Sequence, residues 1–297
     1  MNKGIYQSEV ANYTCNRGKI RDCYDLGETM MIIVTTDRIS AFDYVFPDTL
    51  IPDKGVILTK LSNYWAETLD VKYHLISSEL NHLPKDFRKP EFEGRTVLVE
   101  KANVIPFECV VRGYLSGSAW REYQQTGQVC GVKLPAGLRE NQQFPKPILT
   151  PAIKNKNGHD ENVAFEYMAA IVGMEYSAEI EAASIELYAE AAQLAWSKGI
   201  IIADTKFEWG ILPYLQNSLI LVDEIITPDS SRFWPIDEYV VGSPIKCSFD
   251  KQYLRDFVNG TAWDKQSVPP PLPQDVVDNL RNKYIEAYEK LTDSKFQ

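Results

Sequence analysis

The chain has 297 residues, 44% hydrophobic and 24% charged, a balance near the globular average that excludes collagen, coiled coil and wholesale disorder. At this length one large domain or two modest ones can bury most of the apolar surface. Lys and Arg total 31 against 41 Asp and Glu, a formal charge of -10, so the chain is a poor candidate for sheathing nucleic acid, although basic groups focused in one cleft can still hold small anions.

The first third reads as β-rich, with short β-branched or aromatic runs at Lys19–Tyr24, Met30–Thr36 and Thr96–Lys101, and Gly27 as a turn residue. Leu58, Leu61, Trp65 and Leu69 fall at helical spacing and predict a helix over Leu58–Leu69. Val104–Tyr114 is strand-like, Ser116–Thr126 helical, and Gly127 a natural stop. Four prolines between Pro135 and Pro151 predict a long ordered loop. Ser177–Lys198 is the clearest helix, with Ser177 as its cap and Gly199 as its stop. Ile200–Trp209 and Ser218–Ile226 read as strands joined by a turn around Gly210 and Pro213. A proline spacer at Pro269–Pro273 precedes a last helix striped by Val277, Leu280, Tyr284, Tyr288 and Leu291. No apolar run approaches the roughly 20 residues of a membrane span, and MNKGIYQSEV carries no secretory pattern. The five cysteines are odd in number with no C-x-x-C pair, which predicts free thiols in a reducing cytoplasm; with three histidines, a histidine-rich metal site is not expected.

The common nucleotide and hydrolase signatures are absent, so the chemistry must be sought in charge patterning. In Asp204-Thr205-Lys206-Phe207-Glu208-Trp209-Gly210, strand alternation puts Asp204, Lys206 and Glu208 on one face, with Ile202 before them on that face and Ala203, Thr205 and Phe207 opposite. That face is either a solvated hairpin surface or a site combining metal-binding carboxylates with a phosphate-binding lysine. The next strand, Leu219-Ile220-Leu221-Val222, is apolar on both faces and ends in Asp223-Glu224. Acids facing acids repel unless a cation lies between them, and Mg²⁺ takes one or two carboxylates plus phosphate oxygens, which favours the second reading. Thr227-Pro228-Asp229-Ser230-Ser231-Arg232 adds hydroxyls and a guanidinium that can fork onto a phosphate or sit on the surface. Val104 to Ser118 delivers Arg112 from an apolar strand into Gly113, Ser116, Gly117 and Ser118, either a phosphate cradle at a helix start or a plain cap with a paired arginine. Arg17-Gly18-Lys19-Ile20-Arg21 is a basic turn or a phosphate cover; Asp37 to Asp43, a polar loop after a strand, and Lys154 with His159-Asp160-Glu161-Asn162, a candidate capped helix start, are equally open.

In combination these segments resemble the phosphoribosylaminoimidazole-succinocarboxamide synthase (SAICAR synthetase) family. Val104–Ser118 matches one family motif, and Ile202–Gly210 the other except that Trp209 stands where the family usually shows Phe; GKIRDCY, DRISAFD, HDEN, LILVDE and TPDSSRFW follow in the expected order. The likeness spans nearly the whole chain and is to the longer, yeast-like form. It implies an α+β fold of two lobes, a small antiparallel β lobe (1–105) over ATP and a larger α/β lobe (106–297), hinged near Ile105 and Pro106. It implies an ATP-dependent carbon–nitrogen ligase that joins L-aspartate to the carboxylate of carboxyaminoimidazole ribonucleotide (CAIR) with Mg²⁺, through an acyl phosphate. Lys19 and Arg21 would then cover the ATP phosphates, and Lys101 to Val104 would meet the adenine. Glu208 and Asp223 would bind Mg²⁺. Arg112, Ser118 and Arg232 would hold the ribonucleotide, and Asp204 and Lys206 the reacting carboxylate, with Ser40, Asp43 and Lys154 in the same cleft. A small-molecule kinase that stops at phosphoryl transfer is the alternative; monomer and homodimer both stay open.

Overall fold

The computed structural model describes residues 4–154 and 161–297. In chain order the strands and helices are β1 (Cys15–Arg17), β2 (Arg21–Asp25), β3 (Met30–Thr35), β4 (Arg38–Ala41), β5 (Tyr44–Leu50), α1 (Lys54–Thr68), β6 (Leu75–Ser77), β7 (Thr96–Glu100), β8 (Asn103–Tyr114), α2 (Gly117–Thr126), β9 (Gln128–Val129), β10 (Val132–Lys133), β11 (Gln143–Ile153), β12 (Glu161–Asn162), α3 (Phe165–Val172), α4 (Met174–Ser197), β13 (Ile200–Leu212), β14 (Ser218–Val222), β15 (Ser231–Pro235), α5 (Gln252–Asn259) and α6 (Gln274–Thr292). Two antiparallel sheets dominate: β1-β2-β3-β7-β6, and β12-β11-β8-β13-β14 with β15 also on β13. The fold is α+β. Among the described residues no helix is long and apolar enough to cross a membrane.

The main core lies between the second sheet and the helices. Phe107, Cys109 and Val111 of β8 and Phe207 of β13 meet Ile180, Leu187 and Ala191 of α4, and Leu61 and Trp65 of α1 meet Leu280, Tyr284 and Leu291 of α6. A smaller cluster around Tyr24, Ile32, Phe87 and Phe92 serves the first sheet. The segment before β6 stitches the sheets together: the His74 amide donates to Leu221 O at 3.0 Å, and the Glu100 amide to His74 O at 2.8 Å.

Several expectations are corrected. The helix expected from Leu58 starts at Lys54, one turn earlier, after Asp53 in the left-handed region. Most of the proline-rich loop is β11, with Pro145 and Pro147 in the irregular stretch between Gln143 and Ile148 where pairing to β8 breaks, a place that tolerates a missing N–H. Ser177 is no cap: α4 begins at Met174, and Ser177 is a buried residue of its first turn. Gly210 is within β13 rather than in a turn, paired with Ile220 and Val104, and glycine suits the place because a Cβ there would come within 2.7 Å of Ala102 Cβ; the turn is at 213–217. The Asp37 to Asp43 segment is a β4–β5 hairpin rather than a loop, turning through Phe42 and Asp43 at positive φ. His159 and Asp160 lie outside the described residues, and Glu161 and Asn162 form β12 instead of capping a helix. Pro106, the expected hinge, sits inside β8 where the register to β13 shifts.

One correction bears on the site. Ile202 opposes Phe233 and Asp204 opposes Arg232, so Ala203 is an extra residue on β13. This bulge reverses the alternation. Ile200 and Ile202 share the main core with Phe207, while Ile201 and Ala203 pack with Tyr114 and Trp234. Ile202 is therefore not on the face of Asp204. Trp209 is buried, its indole N–H donating to Ser184 Oγ at 2.9 Å, which satisfies the polar atom that a phenylalanine would lack.

Candidate active site

Strands β8 and β13 run antiparallel with Arg112 opposite Asp204, Val110 opposite Lys206, and Glu108 opposite Glu208. All six project toward one side. A cavity of about 350 Å³ there is lined by Glu108, Arg112, Ser118, Asp204, Lys206 and Arg232, with Lys19, Ser40 and Asp43 across it. A second cavity of about 420 Å³ shares Lys19, Ser40, Glu108 and Lys206 and adds Arg21, Lys154, Glu208, Asp223 and Glu224. Twelve of the fourteen residues singled out in the sequence thus line one of two adjoining spaces. Lys101 and Val104 do not. Lys101 pairs with Asp25 at 2.9 Å, and Val104 is exposed, both near the crossing from the first sheet to the second.

The first cavity has a fixed guanidinium floor. Arg112 Nε donates to Thr150 Oγ1 at 2.8 Å, Nη1 to Asp204 Oδ2 at 3.4 Å and Nη2 to Ser118 Oγ at 3.3 Å. Arg232 is ion-paired with Asp204. Two arginines share one carboxylate, leaving a net positive pocket at the start of α2, where free backbone N–H groups add to the field. Gly117, first residue of α2, has φ +58, and a Cβ there would come within 2.3 Å of Arg232 Nη2. Gly117→Ala is expected to push the guanidinium off Asp204 and weaken binding of a phosphate-bearing ligand about tenfold, with a stability loss of only about 1 kcal/mol; ligand titration alongside thermal melting checks this.

The second cavity is an array of alternating charge. Lys206 Nζ lies 2.7 Å from Glu108 Oε1 and 3.9 Å from Glu208 Oε1, and Lys154 pairs with Glu208. Arg21 bridges Asp223 at 2.8 Å and Glu224 at 3.0 Å. The repulsion expected between the two acidic strand ends is thus met in part by protein cations. Burial depresses the Lys206 ammonium, but Glu108, Glu208 and the 223–224 acids outweigh it and hold the lysine firmly charged. Burial pushes the Asp223 carboxyl up, and Glu208 adds to that rise against Arg21. An acid pair that still repels, with hard oxygen donors facing a cavity, fits Mg²⁺ held by two carboxylates plus ligand phosphates. Among the described residues no group of three or more His, Cys, Asp or Glu could hold a metal ion.

The Lys19 loop is pinned by Arg38, whose Nε donates to Lys19 O at 3.0 Å and Nη2 to Gly18 O at 3.0 Å, while Lys19 itself pairs with Asp43. Sequence reasoning assigned no role to Arg38, Glu108, Asp229, Lys251 or Arg255. The last three line the first cavity from the turn before β15 and from α5. The parity of β8 marks Glu108 together with Arg112, whereas no spacing rule connects Lys251 to the strands.

A family model described as SAICAR synthetase matches residues 14–270. The chain belongs to the SAICAR synthetase family. It is 51% identical over 282 residues to the phosphoribosylaminoimidazole-succinocarboxamide synthase of Syntrophobacter fumaroxidans, covering 93% of this chain and 92% of that one. Among solved structures it resembles SAICAR synthase from Saccharomyces cerevisiae complexed with SAICAR, at TM-score 0.89 and 43% identity over 99% of both chains. A SAICAR synthetase in complex with ADP, at TM-score 0.68 and 23% identity over 96% of this chain and 100% of that one, shares the fold. The greater likeness to the yeast enzyme accords with the longer, yeast-like form of the family.

Proposed function

We propose that this chain joins the amine of L-aspartate to the carboxylate of CAIR, converting ATP to ADP and phosphate and yielding SAICAR in purine biosynthesis. The observation that carries the reading is the adjacency of the two cavities, one with a guanidinium floor and one with paired acids, around the shared Lys206. Arg112, Ser118 and Arg232 bind the ribonucleotide phosphate. Asp204 orients both arginines and, with Lys206, faces the aminoimidazole carboxylate. Lys19, and Arg21 through its acid partners, flank the triphosphate, and the backbone around Lys101 to Val104 borders the adenine. Ser40, Asp43 and Lys154 line the passage between the two.

A carboxylate is a poor electrophile because its oxygen is a poor leaving group. Transfer of the γ-phosphoryl gives an acyl phosphate open to attack by an amine. Glu208 and Asp223 would hold Mg²⁺, which when bound neutralises phosphate charge. Lys206 offsets charge on the transferring group from the ribonucleotide side. The 1–105 segment acts as the lobe over ATP and 106–297 as the ribonucleotide lobe, and their apposition excludes water from the acyl phosphate.

Omitting each substrate in turn tests this. ADP release is expected to require CAIR, and SAICAR to form only with ATP, CAIR and aspartate together. A stable phosphorylated product with no aspartate requirement would replace the ligase by a kinase.

A further inference from the structure

The attacking amine of aspartate must lose a proton, and the roles above name no acceptor. The wall where the two cavities adjoin carries Lys251. Its Nζ lies 3.0 Å from Asp229 Oδ2, and the same oxygen is 2.8 Å from Lys54 Nζ. The other oxygen, Oδ1, accepts the Tyr284 hydroxyl at 2.5 Å. The Lys54 and Asp229 side chains are 0% and 2% exposed, so one desolvated carboxylate serves two ammonium groups. Arg255 of α5 adds positive charge nearby. Two cations on one buried anion leave an uncompensated charge, and releasing a proton from one lysine relieves it. Lys54 is sealed from solvent, whereas Lys251 opens on both cavities. Burial, then Lys54 and Arg255 working against Asp229, bring the Lys251 ammonium down to about 8.

We infer that Lys251 is the proton acceptor for the attacking amine, a step that rests on the ligase reading. The nitrogen lone pair forms the C–N bond at the acyl carbon, the C–O bond to phosphate breaks, and phosphate leaves with that electron pair. Before attack an ammonium proton of aspartate passes to neutral Lys251 Nζ, which returns it to solvent when products depart, and the second proton, shed once the C–N bond has formed, leaves with the phosphate. The groups that set its charge state are Asp229, Lys54 from α1, Arg255 from α5 and Tyr284 from α6 through Asp229. Lys19, Asp43, Glu108 and Lys206 lie across the cavities.

The test assays full-length Lys251→Arg, which keeps the charge but holds its proton, with ATP, CAIR and aspartate. The kcat is expected to fall about 100-fold with the CAIR KM changed less than about threefold. With hydroxylamine replacing aspartate, an amine already neutral at pH 7, hydroxamate should form at close to the wild-type rate. Retained kcat with aspartate, a loss confined to the CAIR KM, or an equal loss with hydroxylamine overturns the assignment. If the variant does not fold, the wild-type pH profile decides: a rise of kcat through about pH 8 supports it, and a flat profile from pH 6 to 9 overturns it. Wild-type protein that forms no aspartate adduct would instead remove the ligase reading itself.

Discussion

Glu208→Gln and Asp223→Asn are each expected to lower Mg²⁺-dependent turnover by at least about 100-fold while the protein stays folded. Both changes preserve shape and remove one carboxylate charge. Burial and Glu208 already raise Asp223, so neutralising either acid relieves repulsion inside the folded state. Arg21 keeps Glu224 at 3.0 Å after Asp223→Asn, and Lys206 keeps Glu108 at 2.7 Å after Glu208→Gln, so no buried cation loses every partner. The melting temperature should therefore hold within a few degrees, and the Mg²⁺ concentration for half-maximal rate should rise. Normal turnover in both variants would remove the metal assignment; a collapse in melting temperature would make the acids structural.

The role proposed for Arg112 concerns a different substrate. Arg112→Ala would strand Asp204 beside Arg232 alone and open a buried gap, so Arg112→Lys is the cleaner probe: it keeps the charge and loses the fork that reaches Thr150, Ser118 and Asp204 together. A charge-assisted hydrogen bond contributes about 1.5–3 kcal/mol, so the CAIR KM is expected to rise roughly 10- to 100-fold. ATP affinity, read by nucleotide titration without CAIR, should change less than about twofold. Selective loss of ATP affinity would mean that the two cavities have been assigned in reverse.

The charged ladder was legible because strand alternation has a strict period of two. Asp204, Lys206 and Glu208 share a face by counting, and Arg112 opposite Asp204 follows once β8 and β13 pair. The apolar run of Leu219 to Val222 was equally legible, and its end at Asp223 is sharp because Asp223 takes φ 66, which breaks the strand. What escaped notice has no local signature. Pro145 and Pro147 of β11 imitate a loop because a proline deletes a ladder donor, and the irregular stretch opposite β8 makes room for that. Lys54, Asp229, Lys251 and Tyr284 are gathered from four distant segments by the packing of α1, α5 and α6, and no spacing rule foretells that meeting. The adenine contact expected of Lys101 and Val104 rests on family likeness alone, and these two residues line neither cavity.

Ala203 packs with Tyr114, Ile201 and Trp234 at the point where β13 passes from apolar to charged. As the one unmatched residue between Ile202 and Asp204, it works like a half-step in a phase. Because that residue is surplus to the pairing, its deletion would let the ladder run straight, with Ile202 still opposite Phe233 and Asp204 still opposite Arg232, so the charged side chains are expected to keep their face. The surplus is absorbed where two demands meet: Ile202 stays in the core and Asp204 on the cavity side, and a strand with one residue between them satisfies both only by leaving that residue unmatched.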